Sequence, residues 1–451
     1  MLFTKDRTFY RSLVTLAIPI MLQNLITFSV GFADNLMIGS LGDSAVSGVY
    51  MGNQIQTVLQ VFSGGIEAGI LLLAAQYWGK RDTEHIRRVV AIGMWCSIIA
   101  GFIFSTVCTL FPRQVISLFT NEASVIDMGV EYLSVICYSY LFFCITQALI
   151  AAMRSVESAR IGMLVSLASL VIDVALNYLL IFGKLGFPAM GVKGAAIATL
   201  IARICETAIM VIYVRVIDKK LCFRFNKLWK IDNVLLRDYI RCDLPLVGGQ
   251  LVWGCNLMAN SIILGHFTES VITAASLANT LNSLMYVSMN GMSSAVGIII
   301  GKKVGAGETA RIREYSNTVQ MLFLGLGLVT SGLFRLIGDP FIGLYAISDE
   351  AVGYARQFID VLCVTCIGTC YQAACLFGLV KSGGDVSFVF KNDTIHVFGV
   401  VIPSAIITSL LGCPAWVVFL CLKSDQLLKC IPAFFKIRKY DWMKNLTVSG
   451  E

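Results

Sequence analysis

Twelve apolar stretches, each long enough to cross a bilayer, recur along the 451-residue chain and leave little room for a soluble fold. A spanning helix needs about 20 mostly apolar residues. That length predicts spans over roughly 13–38, 46–77, 89–111, 130–152, 161–183 and 191–217, then 240–265, 271–300, 316–338, 355–380, 389–412 and 415–436. The second and eighth are long, which implies tilt or extension beyond the lipid. Composition agrees, since only 14% of residues are charged against about 25% in a soluble domain. With 57% hydrophobic residues and a mean hydropathy of +0.77, lipid has to cover the surface.

The net charge of +7 is explained by where it sits. Twenty-seven Lys and Arg fall at the two ends and in alternate loops, from Lys5, Arg7 and Arg11 to Lys436, Arg438, Lys439 and Lys444. The opposite loops carry Arg113, Lys184, Lys193, Arg335 and Arg356. The positive-inside rule places both termini and the basic segment 218–241 in the cytoplasm of a cell (inner or plasma) membrane. Membrane lipids are the partner this implies, and no nucleic acid is expected. The 15 cysteines lie scattered in apolar runs, where cysteine packs as a small hydrophobe. His85, His266 and His396 are far apart in sequence, so a zinc site is not expected. The run after Arg11 continues past signal-peptide length without an A-x-A site and reads as the first span.

A shift of 226 residues aligns the two halves. Pro19 meets Pro245, Gly39 meets Gly265, Asn53 meets Asn279, Gly65 meets Gly291 and Arg87 meets Arg313. Pro, Gly, Asn and Arg at one offset are harder to obtain by chance than Leu or Val. Six spans return the chain to its starting side, so the second copy enters in the same orientation as the first. The expected fold is an all-α polytopic membrane protein with 12 transmembrane helices. They form two six-helix bundles related by a pseudo-two-fold axis along the membrane normal. The domains expected are 1–217 as the N-terminal lobe, 218–239 as a cytoplasmic linker and 240–451 as the C-terminal lobe.

A carboxylate at mid-bilayer costs about 2.5–3.5 kcal/mol on insertion scales and marks a functional residue by default. Asp34 ends span 1, and Asp173 and Asn177 share one face of span 5 at i and i+4. With Thr199 of span 6 they offer hard oxygen ligands for a small cation such as Na+, or a carboxylate pair for a proton. On spacing alone, Asn177 and Thr199 would equally serve as hydrogen bonds between helices. Gln56, Gln60 and Glu67 form a polar stripe in span 2, and Asn279, Asn282, Tyr286 and Asn290 form one in span 8. Both suit a substrate cavity. Arg203 and Glu206 are spaced to pair, whereas Lys423 and Asp425 do not share a face. Pro19 and Pro245 each remove a helix hydrogen bond and supply a candidate hinge in the first span of each repeat.

The segments LAIPIMLQNL, DNLMIGSLGD, AAQYWGKRD, LNYLLIFGKLGFPAMGVKGAAIAT and KYDWMKNL resemble the multidrug and toxic-compound extrusion (MATE) family over nearly the whole chain. The resemblance implies two six-helix lobes around a central cavity, and export of drugs in exchange for sodium ions or protons. It places the coupling site in the first lobe, at Asp34, Asp173, Asn177 and Thr199. The family's usual Asn-x-x-x-Asp pair falls on Asp173 and Asn177 with the two residue types exchanged, one helical turn or about 6 Å. The NorM-like branch also has acidic residues in spans 7 and 10. Here Asn260 stands opposite Asp34 in the repeat, and Asp360 lies near an outer end.

These readings converge on a secondary transporter, expected to be a monomer, that exports small amphipathic cations and needs no cofactor beyond its coupling ion. A lipid-linked sugar flippase is the alternative, and it would favour a more basic cavity. The chain holds no HExxH or GxGD motif, so an enzyme is not expected.

Overall fold

The computed structural model describes residues 3–120, 122–223, 232–345 and 347–447. The basic-segment residues Arg224, Lys227 and Lys230 lie outside them. Among the described residues, ten helices are long and apolar enough to span a membrane, and one bent pair adds an eleventh span. The first half runs α1 (Arg7–Ile38), α2 (Asp43–Gly79), α3 (Thr83–Leu110), the short α4 (Pro112–Ser117), α5 (Ala123–Ile136), α6 (Ser139–Ser155), α7 (Arg160–Phe182) and α8 (Gly191–Ile212). The second half runs α9 (Asn233–Leu264), α10 (Glu269–Gly305), α11 (Thr309–Ile342), α12 (Asp349–Gln372), α13 (Val386–His396), α14 (Ile402–Leu410), α15 (Ala415–Leu422), α16 (Asp425–Leu428) and α17 (Cys430–Lys439). The repeat reappears in the helices themselves, since α9, α10, α11 and α13 start 226 residues after α1, α2, α3 and α7.

Two predicted spans take forms the apolar pattern does not show. The fourth is α5 and α6, bent by 53° at Cys137–Tyr138. The twelfth is broken into α15, α16 and α17. Ser424 donates its hydroxyl to the Cys421 carbonyl at 2.7 Å, a side-chain bond that competes with the helix ladder. Pro432 has no N–H for the Leu428 carbonyl, which accounts for the second break. Helix ends elsewhere follow ordinary capping. Asp82 accepts the His85 amide at the start of α3, Ser348 accepts the Ala351 amide at the start of α12, and Gly183 closes α7 at φ +65°.

The helices group into two compact units, Leu22–Val247 and Met1–Met21 with Gly248–Glu451. We call these the N-terminal and C-terminal units. The change of unit falls two residues after each proline, inside helices that remain continuous through Pro19 and Pro245. The opening of α1 therefore groups with the C-terminal unit, where the Thr4 amide donates to Thr318 Oγ1 at 2.7 Å and Tyr315 Oη donates to Asp6 Oδ2 at 2.5 Å. The opening of α9 groups with the N-terminal unit, where Tyr239 Oη donates to the Ile66 carbonyl at 3.2 Å. Large apolar side chains such as Phe102, Ile103, Leu328 and Val329 are exposed on helix surfaces, as lipid-facing residues must be. Small residues let neighbouring helices meet inside each unit. A Cβ on Gly101 would lie 2.9 Å from Leu141 Cα, and one on Gly327 would lie 2.8 Å from Ile367 Cα.

Candidate functional site

Within the N-terminal unit, α7 and α8 pack closely where Gly194 crosses Leu180. A Cβ there would lie 2.6 Å from the Leu180 carbonyl oxygen, so only glycine permits this approach. The contact brings two polar stripes together. On α7 the stripe is Ser166, Ser169, Asp173 and Asn177, and on α8 it is Thr199, Arg203 and Glu206. Each follows the three- and four-residue spacing of one helix face. Asp34, half-buried late in α1, completes the cluster.

Asn177 organises the carboxylates. Its Nδ2 donates to Asp34 Oδ1 at 2.7 Å and to Asp173 Oδ2 at 3.3 Å, which uses both amide hydrogens. Asp173 and Asn177 are each 1% exposed, and Asp173 Oδ1 and Asn177 Oδ1 have no hydrogen-bond partner. Thr199 and Arg203 sit beside Asp173. Arg203 donates to Glu206 at 2.7 Å and stacks 5.2 Å from the centre of the Phe143 ring. A polar cavity of about 20 Å³ adjoins the cluster, lined by Thr27, Gln147, Ser166, Ser169, Asp173 and Thr199 among others. That is room for a single water-sized occupant.

The structure brings Asp34, Asp173, Asn177 and Thr199 together. It adds Arg203 and Glu206 to them, which spacing alone presents as a self-contained pair. The signal was available, because Arg203 follows Thr199 by one turn, as Asn177 follows Asp173. Of the span 2 stripe, Gln56 is half-buried and Gln60 exposed. Glu67 accepts a bond from Ser63 at 3.3 Å and lies near Arg154. Counted by sequence as a loop charge, Arg154 instead reaches inward to Gln23 Oε1 at 2.8 Å. The span 8 stripe belongs to the C-terminal unit. There Asn279 and Asn290 are exposed, Asn282 is buried, and Tyr286 adjoins Asp425 and Gln426. Among the described residues, no three His, Cys, Asp or Glu converge as a transition-metal site requires.

The MatE family model matches residues 19–179 and again 245–407, so each match opens on one of the two repeat prolines. The chain belongs to the MatE family. Among MatE relatives it is 26% identical over 340 residues to the probable multidrug resistance protein NorM of Rhizobium meliloti, covering 75% of this chain and 72% of that one. It is 21% identical over 444 residues to the uncharacterized transporter YisQ of Bacillus subtilis, covering 97% and 96%. In fold it matches the MATE transporter VcmN of Vibrio cholerae with a TM-score of 0.88 at 16% identity, over 97% of this chain and 98% of that one.

Proposed function

We propose that this MatE protein exports small amphipathic organic cations in exchange for sodium ions or protons taken up around Asp34 and Asp173. The observation that carries this reading is the buried Asp173 carboxylate joined through one amide to the half-buried Asp34, with Asp173 Oδ1 and Asn177 Oδ1 left unpartnered. Two carboxylates sharing one amide, one of them 1% exposed, call for a compensating positive charge. Arg203 supplies one, but Glu206 already claims it at 2.7 Å. A proton shared by the carboxylates or a sodium ion on the free oxygens supplies the missing charge. The donors are carboxylate, amide and hydroxyl oxygens, which suit a hard monovalent ion.

Coupling follows if ion occupancy changes how Asp34 is held. Asp34 lies on the same helix as Pro19, where the backbone lacks one hydrogen bond and bends at lower cost. Ion entry from outside favours the state that releases substrate, and substrate from the cytoplasm or inner leaflet restores the other. An exchange of this kind requires only that the two ligands prefer different states. The names of the NorM relatives support organic substrates, and the distribution of Lys and Arg supports cytoplasmic termini.

The test is ethidium efflux from proteoliposomes under separately imposed sodium and proton gradients, for wild type and Asp34→Asn. Efflux driven by one gradient and lost in the variant names the ion. Folded wild-type protein that shows no gradient-driven efflux overturns the reading.

A further inference from the structure

The C-terminal unit holds a second buried ionic cluster, and it lacks the excess of carboxylates found in the first. Lys429 Nζ lies 2.9 Å from Asp393 Oδ1 and 3.0 Å from Asp425 Oδ2, bridging α13 to the broken last span. All three are under 9% exposed. Lys423 is 8% exposed, with its ammonium 5.5 Å from the Phe419 ring centre and Asp425 as its acidic neighbour. Lys381 is a further basic neighbour of Asp393. Two carboxylates thus face at least two ammonium groups. The first cluster has three carboxylates, Asp34, Asp173 and Glu206, and one guanidinium, Arg203.

The two clusters occupy related places in the repeat. Pro188–Ala189 and Pro414–Ala415 fix the 226-residue offset in this region, and at that offset Thr199 meets Asp425 and Arg203 meets Lys429. The backbone around the second cluster is also irregular. Ala373–Lys381 and Val397–Val401 are wound with wide π-helical turns, and the last span breaks on both sides of the α16 turn that carries Asp425. Such interruptions gather at functional sites. Gln426, which adjoins Tyr286 as Asp425 does, has its Oε1 buried without a partner, and so does Asn282 Oδ1 one turn before Tyr286 on α10. Gln426 is 4% exposed and Asn282 6%.

We propose that Lys429 is the tethered cation of an oxygen site formed by Asp393 and Asp425, which would take a free monovalent cation if the ammonium were absent. The ammonium meets both carboxylates as a bound ion would, but it cannot leave. Exchangeable ions are thereby confined to Asp34 and Asp173, a consequence that rests on the cation-coupled reading above. The latent site itself does not depend on that reading.

The test is saturable binding of radiolabelled sodium to the purified full chain at mildly alkaline pH, in an Asp34→Asn/Asp173→Asn background that silences the first cluster. That parent is expected to bind no sodium. Lys429→Gln should gain binding approaching one ion per chain, Asp393→Asn added to it should abolish the gain, and Lys429→Arg should show none. Folded Lys429→Gln that binds no more than the parent overturns the proposal, as does a parent that already binds sodium. If Lys429→Gln fails to fold, Lys429→Gln/Asp425→Asn decides. Recovery of folded protein shows that the lysine acts by neutralising carboxylates, whereas failure of both shows a packing role and overturns the proposal. A failure of the export reading appears only in the efflux assay and leaves this binding result unchanged.

Discussion

Replacing Arg203 with methionine removes the partner of a carboxylate that has nowhere else to go. Glu206 is 3% exposed and bonded to Arg203 at 2.7 Å. Breaking a buried pair from one side leaves an uncompensated charge and typically costs about 3–5 kcal/mol. Loss of the stacking on Phe143 adds about 0.5–2 kcal/mol, partly recovered by the methionine side chain. The folded-to-unfolded ratio should fall by roughly two and a half to four orders of magnitude. Equilibrium unfolding of the purified protein in mixed micelles measures it. Arg203→Leu/Glu206→Leu removes both charges at similar volume and should return to within about 1.5 kcal/mol of wild type. Glu206→Gln should cost less than Arg203→Met, because Arg203 retains Asp173 and Asp34 as acidic neighbours. A cost for Arg203→Met below about 1 kcal/mol, or a double variant as unstable as the single one, would show that this pair is solvated, contrary to the reasoning here.

Gly194→Val inserts a side chain against the Leu180 backbone, 2.6 Å from its carbonyl oxygen at Cβ, and should cost about 1–3 kcal/mol through overpacking. It should also abolish gradient-driven efflux with every polar site residue intact, since α8 then moves Thr199 and Arg203 away from Asp173; wild-type efflux from the variant would contradict this. The C-terminal tail offers a pH prediction. Burial raises the affinity of Asp385 for a proton, but Lys436 and Lys444, each bonded at 2.8 Å, outweigh it and hold the carboxyl below the usual aspartate range. A depressed folded value means the clamp contributes fully above about pH 4 and is lost as pH falls through the lower folded value. Hydrogen exchange across residues 440–447, corrected for the intrinsic rate, should stay slow in wild type down to that range and be fast at neutral pH in Asp385→Asn. Equal protection in both would remove the clamp from the account.

What the sequence made legible and what it hid divide along the range of the interactions. Span positions depend on apolar length alone, and the repeat depends on one offset, so both can be read locally. The first cluster was readable because Asp173 and Asn177 share a helix face and Asp34 and Thr199 lie in spans whose apolar context makes any polar group conspicuous. The second was hidden because Asp393 lies near the start of the span predicted over 389–412, two residues after Lys391, where charge beside the membrane edge is unremarkable. Its meaning arises only when the chain brings Lys429, between α16 and α17, within 2.9 Å of Asp393 on α13. One route to it existed in the sequence: the offset that pairs Pro19 with Pro245 also carries Arg203 onto Lys429. The relation is physical as well as positional. Each copy sets a cation at the same place in its sixth span, Arg203 or Lys429, but the first has three carboxylates around it and the second has two carboxylates with Lys423 and Lys381 nearby. The place of the charge is common to both repeats, and the neighbours leave one copy short of a cation and the other supplied.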